Sequence, residues 1–135
     1  MKSLPALVIP LFLATGCIVA PISLGSSNPP PERLPQKVAR LTLERAQKAY
    51  DEGDYSRTLA TLQSSTSVFA SADPATRQEA LKLEAFTYCV SRQVSECEAQ
   101  FVKLLTAFPE FTLSVAERNH PVWGPAFEKA RLARR

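Results

Sequence analysis

Glycine is scarce, with four in 135 residues. No segment sustains an alternation of apolar and polar residues, so strands are not expected. There is one histidine, His120, and no serine lies in a Gly-x-Ser-x-Gly elbow, so a hydrolase built on a nucleophile, a histidine base and an orienting acid lacks its parts. Glu96 and Glu98 are two apart and diverge on a helix, which rules out a paired-carboxylate site there. No phosphate-cradling loop is present. Charge is also in short supply: 16 basic against 13 acidic residues leave a formal net charge of +3, too little to imply nucleic-acid binding. His120 is remote in sequence from the cysteines, so metal binding is not expected. The chain is expected to be no enzyme, with no cofactor and no small-molecule substrate.

What is present begins at the amino terminus. Lys2 gives a basic start, Leu4 to Leu13 is apolar except for Pro5 and Pro10, and Ala14, Thr15 and Gly16 lead into Cys17. A charged start, a short apolar run and small residues mark a secretory signal. The run is too short and too proline-rich for a membrane-spanning helix, which needs about 20 residues. The stretch Leu13-Ala14-Thr15-Gly16-Cys17 resembles the bacterial lipobox, although Ala14 stands where leucine is preferred. The resemblance implies cleavage before Cys17, with lipid on its thiol. Ile18, rather than Asp, after the cysteine implies sorting to the outer membrane, with the protein facing the periplasm. Residues 1–16 are then the signal. Residues 17–35, with Gly25-Ser26-Ser27-Asn28 and Pro29-Pro30-Pro31, are expected to form a flexible tether.

Residues 36–135 read as one all-α domain. From Gln36 to Glu52, Val38, Leu41, Ala46, Ala49 and Tyr50 recur at helical spacing. Gly53 ends that helix and Asp54 caps the next, whose inner side should hold Tyr55, Leu59, Leu62, Thr66 and Phe69. Asp73-Pro74 starts a third helix running to about Ser91. Its wide apolar face (Leu81, Ala85 and Tyr88; Leu83, Phe86 and Val90) predicts a central position. Ser95 and Glu98 have capping-box spacing for a fourth helix, with Cys97, Phe101, Leu104, Leu105 and Phe108 inward and Pro109 at its end. Ser114 and Glu117 suit a brief turn. Gly124-Pro125 opens a last helix with Ala126, Phe127 and Ala130 inward, and Arg131, Arg134 and Arg135 suit its carboxyl end.

The run Ala49-Tyr50-Asp51-Glu52-Gly53-Asp54-Tyr55 resembles the corner of a tetratricopeptide repeat. Ala85, Tyr88, Cys97, Phe101 and Pro109 fall at that family's small, aromatic, small, aromatic and proline positions. Tyr55 and Val94 are then equivalent, 39 apart rather than about 34, so a longer loop near Ser64 to Ala72 is expected. Thr58 stands where alanine is preferred and should loosen the first unit. The fold that follows is a set of antiparallel helical hairpins, stacked as two degenerate tetratricopeptide-like repeats, plus a capping helix at the carboxyl end. A plain helical bundle is the alternative.

Once Cys17 is lipidated, Cys89 and Cys97 remain as an even pair. In an oxidising compartment such a pair is usually a disulfide, and the hairpin would bring them together; two buried free thiols are the alternative. Near the end of the chain, His120-Pro121-Val122-Trp123-Gly124-Pro125 holds the sole tryptophan. Trp123 either folds over the end of the stack or, with His120, offers a contact to a partner protein. Tyr88-Cys89, Cys97-Glu98-Ala99-Gln100-Phe101, Phe111-Thr112-Leu113 and the His120–Pro125 run together resemble the TssQ family of repeat-type lipoproteins associated with type VI secretion. The resemblance implies an accessory module that binds other envelope proteins of that system. A helical scaffold of a pilus or outer-membrane assembly machine is the alternative.

Overall fold

The computed structural model describes residues 31–134. They form seven helices and no strand: α1 (Leu34–Asp51), α2 (Tyr55–Ser64), α3 (Thr66–Ala70), α4 (Pro74–Val90), α5 (Val94–Ala107), α6 (Val115–Arg118) and α7 (Gly124–Ala133). The domain is therefore all-α. Cys17 and the leader lie outside the described residues.

Local signals set most of the boundaries. Pro35 falls in the first turn of α1, where a missing N–H costs nothing, so the helix starts two residues before Gln36. The Asp54 carboxylate accepts from the Arg57 N–H at 3.0 Å and opens α2. The Asp73 carboxylate accepts from the Thr76 N–H at 3.0 Å and its hydroxyl at 2.7 Å, opening α4. Ser114 and Glu117 form a reciprocal capping box on α6. The expected box at Ser95 and Glu98 is absent: α5 starts two residues earlier, with Gln93 as its N-cap and no side-chain cap.

The connections α1–α2 and α4–α5 are the same turn. In the first, the Gly53 N–H donates to Tyr50 O and the Asp54 N–H to Ala49 O; in the second, Arg92 donates to Cys89 O and Gln93 to Tyr88 O. Both are Schellman closures, which need a left-handed residue just past the helix. Gly53 supplies it at φ 77°, and Arg92, which has a Cβ, supplies it at φ 61°.

Two apolar cores result. Ala39, Ala46, Leu62, Phe69, Ala72, Ala80 and Leu83 join α1, α2 and α3 to the first half of α4. Phe86, Cys89, Cys97, Phe101, Leu104, Leu105, Leu113 and Phe127 join the second half of α4 to α5 and α7. As its wide apolar face predicts, α4 is central and packs on α1, α2, α3 and α5. Fully burying a Phe or Leu side chain contributes roughly 1.5–3 kcal/mol, and the second core holds the larger share of such residues.

Three expectations change. The buried side of α1 is Ala39, Thr42, Ala46 and Ala49, whereas Val38 and Leu41 face outward. Thr58 does not loosen the first hairpin: it is fully buried and its hydroxyl donates to Asp54 O at 3.0 Å. The stretch from Ser64 to Ala72 is mostly helix rather than loop, because α3 must bring Phe69 onto the core. At the other end, the Arg134 guanidinium donates to Leu105 O and Pro109 O. It thus serves a closing carbonyl of α5, where a cation is favourable, and the turn that follows, rather than the carbonyls of its own helix.

Candidate partner-binding cleft

A break at Ser65 separates α2 from α3. Between α2–α3 and the carboxyl end of α5, floored by α4, lies a cleft of about 180 Å³. Its apolar surface comes from Leu62, Phe69, Ala80 and Leu81, and its polar groups are Arg77, Glu84 and Lys103. Arg77 stands over the Phe108 ring, 5.4 Å from its centre. Neither Arg77 nor Lys103 forms an ion pair among the described residues. The Glu84 carboxylate accepts from Gln100 Nε2 at 2.6 Å. Burial pushes this carboxyl above the usual range, against the opposing pull of Lys103 and hydrogen bonds from Gln63 and Gln100.

An apolar floor with a few convergent polar groups is the ordinary form of a binding site. This one has two cations free to meet an acidic partner group. None of Arg77, Glu84 and Lys103 carries a local sequence signal, since the first two are about two helical turns apart on α4 and the third is on α5.

The raised Glu84 carboxyl has a consequence for stability. The folded state holds the proton more tightly than the unfolded state, so ionising this group weakens the fold. That cost is absent below the unfolded value and grows as pH rises through the folded one. Glu84→Gln is therefore expected to melt above the parent at pH 7, with the gap closing toward pH 4. Paired thermal melts at the two pH values check it, and an equal gap at both would exclude burial of the charge as the cause.

At the carboxyl end, Trp123 is stacked between two rings. His120 lies 3.5 Å away on one side at 4°, and Phe86 lies 4.3 Å away on the other at 13°. Both faces of the indole are covered, which is the geometry of a side chain closing the second core. Its Nε1 is buried without a hydrogen-bond partner among the described residues. His120 Nδ1 accepts from the Val122 N–H at 3.2 Å and so serves the turn. What this corner leaves outward is Pro121, Pro125 and Val122, the last 45% exposed. The corner lies apart from the cleft, whose lining includes neither His120 nor Trp123.

Cys89 is in the last turn of α4 and Cys97 is in the first turn of α5. Their sulfurs are at disulfide distance and their Cα atoms are 5.0 Å apart, inside the range a bridge requires. In the first hairpin the corresponding positions, 39 residues earlier, are Tyr50 and Thr58. Cys89→Ser is expected to cost about 2–3 kcal/mol under oxidising conditions, the value for so short a loop. Melting with and without reductant checks this: the parent should fall to the variant's temperature only when reduced.

Among the described residues no cluster of His, Cys, Asp or Glu could hold a metal ion, and no helix is long and apolar enough to cross a membrane. Comparison of the chain with protein-family models, with curated proteins and with solved structures finds no match.

Proposed function

We propose that this protein is a lipid-anchored interaction module of the bacterial envelope, an accessory lipoprotein of a type VI secretion system. Lipid on Cys17 holds it at the outer membrane, facing the periplasm. Its domain is two degenerate tetratricopeptide-like units closed by α7. Support for the repeat comes from the shared turn and from buried residues that superpose in sequence at a spacing of 39: Ala46 on Ala85, Thr58 on Cys97, Leu62 on Phe101. One hairpin cannot cover its own apolar face, so a second stacks on it.

The observation that carries the binding role is the cleft, with its apolar floor and the unpaired Arg77 and Lys103. It fits a segment of another envelope protein that has an apolar side chain flanked by acidic ones. Aromatic and aliphatic side chains seated in such clefts supply most of the affinity of an interface, and the charges supply selectivity. The His120–Trp123 corner, through Val122, is a second surface for the same partner.

The test is a photo-crosslinking residue at Ala70, on the rim of the cleft, in cells that carry the secretion genes. Adducts with secretion-complex subunits are expected, and Arg77→Glu with Lys103→Glu should abolish them. Adducts confined to pilus or barrel-assembly proteins would move the module to another machine. In the same cells Cys17→Ser should release the protein from membranes into the soluble periplasmic fraction.

A further inference from the structure

The outward side of α1 carries three of the exposed large apolar side chains of the described residues. Leu34, Val38 and Leu41 are 76%, 48% and 43% exposed. They recur at steps of four and three, so they share one helical stripe. Arg45 and Lys48 continue the stripe and Lys37 borders it. Lys37 and Arg45 form no ion pair among the described residues, and Lys48 has only Glu52, 3.8 Å away. Of the acidic residues close by in sequence, Glu32 and Glu44 are engaged by Arg40, at 3.2 Å and 2.6 Å, and the Asp51 carboxylate accepts from Gln47 Nε2 at 2.8 Å. Beside the stripe, Leu34, Pro35 and Val38 share a shallow hollow with Val68 of α3. The inward side of α1 is already filled by its small residues, so Leu34, Val38 and Leu41 have no part in either core.

We infer that this stripe is a membrane-contacting surface, laid on the headgroups of an anionic bilayer with Leu34, Val38 and Leu41 in the interface and Lys37, Arg45 and Lys48 on lipid phosphates. A helix with apolar residues on one side and lysine and arginine along its edges is the form that lies in a membrane interface, and each basic residue near an anionic surface adds attraction. Shape favours lipid over a protein groove, because the hollow beside Leu34 and Val38 is shallow and Leu41 stands outside it. Position in the chain adds to this. Leu34 is 17 residues beyond Cys17, a span of at most ~60 Å when fully extended. Resting on the lipid-anchor reading, the stripe meets a bilayer at high local concentration, where a weak contact is enough to orient the domain. Its effect would be to press α1 on the membrane and turn the remaining faces toward the periplasm.

The test separates this contact from the anchor. Residues 17–135 carrying Cys17→Ser have no lipid, yet keep both cores. Binding to vesicles of phosphatidylethanolamine and phosphatidylglycerol is measured by co-sedimentation, against vesicles of phosphatidylcholine alone. Preference for the anionic vesicles is expected. Leu34→Ser, Val38→Ser and Leu41→Ser together should lower that binding about tenfold or more, and Lys37→Glu with Arg45→Glu should remove the preference. These side chains are exposed, so unchanged melting temperatures will show that the variants fold. Failure to bind anionic vesicles, or binding unchanged in both variants, would overturn the inference and leave the anchor at Cys17 untouched. Loss of a protein crosslink with vesicle binding intact would overturn it in favour of a protein partner.

Discussion

Phe101→Ala is expected to destabilise the domain by about 3–5 kcal/mol, the range for truncating a buried phenylalanine. Phe101 is 0% exposed. It meets Phe86 at 6.1 Å and Phe127 at 5.4 Å, edge to face in both cases. It therefore links α4 to α5 and α5 to α7. Removing the ring takes away buried apolar area, both aromatic pairs and the filling of the space between three helices. Single domains are stable by only about 5–15 kcal/mol, so the variant should lose a large part of its margin. Its melting temperature should fall by on the order of 20 °C. Urea denaturation checks the figure. A loss below about 1 kcal/mol would mean that α5 is not clamped between α4 and α7.

Gly124→Ala is expected to cost about 3 kcal/mol, at the upper end of what overpacking usually does. Gly124 opens α7 and is buried, and a Cβ there would collide with the Arg118 carbonyl oxygen and stand 3.1 Å from its carbon. Those atoms are backbone, on α6, and cannot rotate away. Relief requires α6 and α7 to part, which would also pull Trp123 off Phe86. Gly53→Ala makes the contrast. Nothing lies near its missing side chain, but its φ of 77° is left-handed, so the expected cost is only about 1 kcal/mol. Denaturation of the two variants side by side checks the difference. Equal losses would show that space at Gly124 is not the constraint.

These two sites also show which parts of the molecule can be read from residue order. The starts of α2, α4, α6 and α7 were legible because each rests on a capping side chain or a proline within a few residues of the boundary. The inward residues of α5 and α7 were legible because their large apolar side chains coincide with the buried side. On α1 that coincidence fails. Ala39, Thr42, Ala46 and Ala49 compete with Val38 and Leu41 at the same period, and hydropathy ranks the larger residues first. Close packing selects the smaller ones, since α1 approaches α2 and α4 through them. The break at Ser65 falls inside the stretch whose repeat spacing predicts a loop, and the helix beyond it depends on Phe69 reaching a core that local pattern does not contain. The cleft was illegible for the same reason. Arg77, Glu84 and Lys103 look like residues of solvated helix faces until α2, α3, α4 and α5 come together around one cleft. Cys89 and Cys97 were legible as a pair, because eight residues across a tight hairpin leave few other arrangements.

The chain contains one tryptophan, and in the folded domain its indole is covered on both faces by His120 and Phe86. The protein thus carries a single tryptophan fluorophore, which can be excited selectively over its tyrosines, at the junction of α4, α6 and α7. Its emission reports the opening of that corner alone, while far-ultraviolet dichroism reports all seven helices. Divergence of the two signals along one denaturant titration would reveal the α6–α7 end detaching before the hairpins melt.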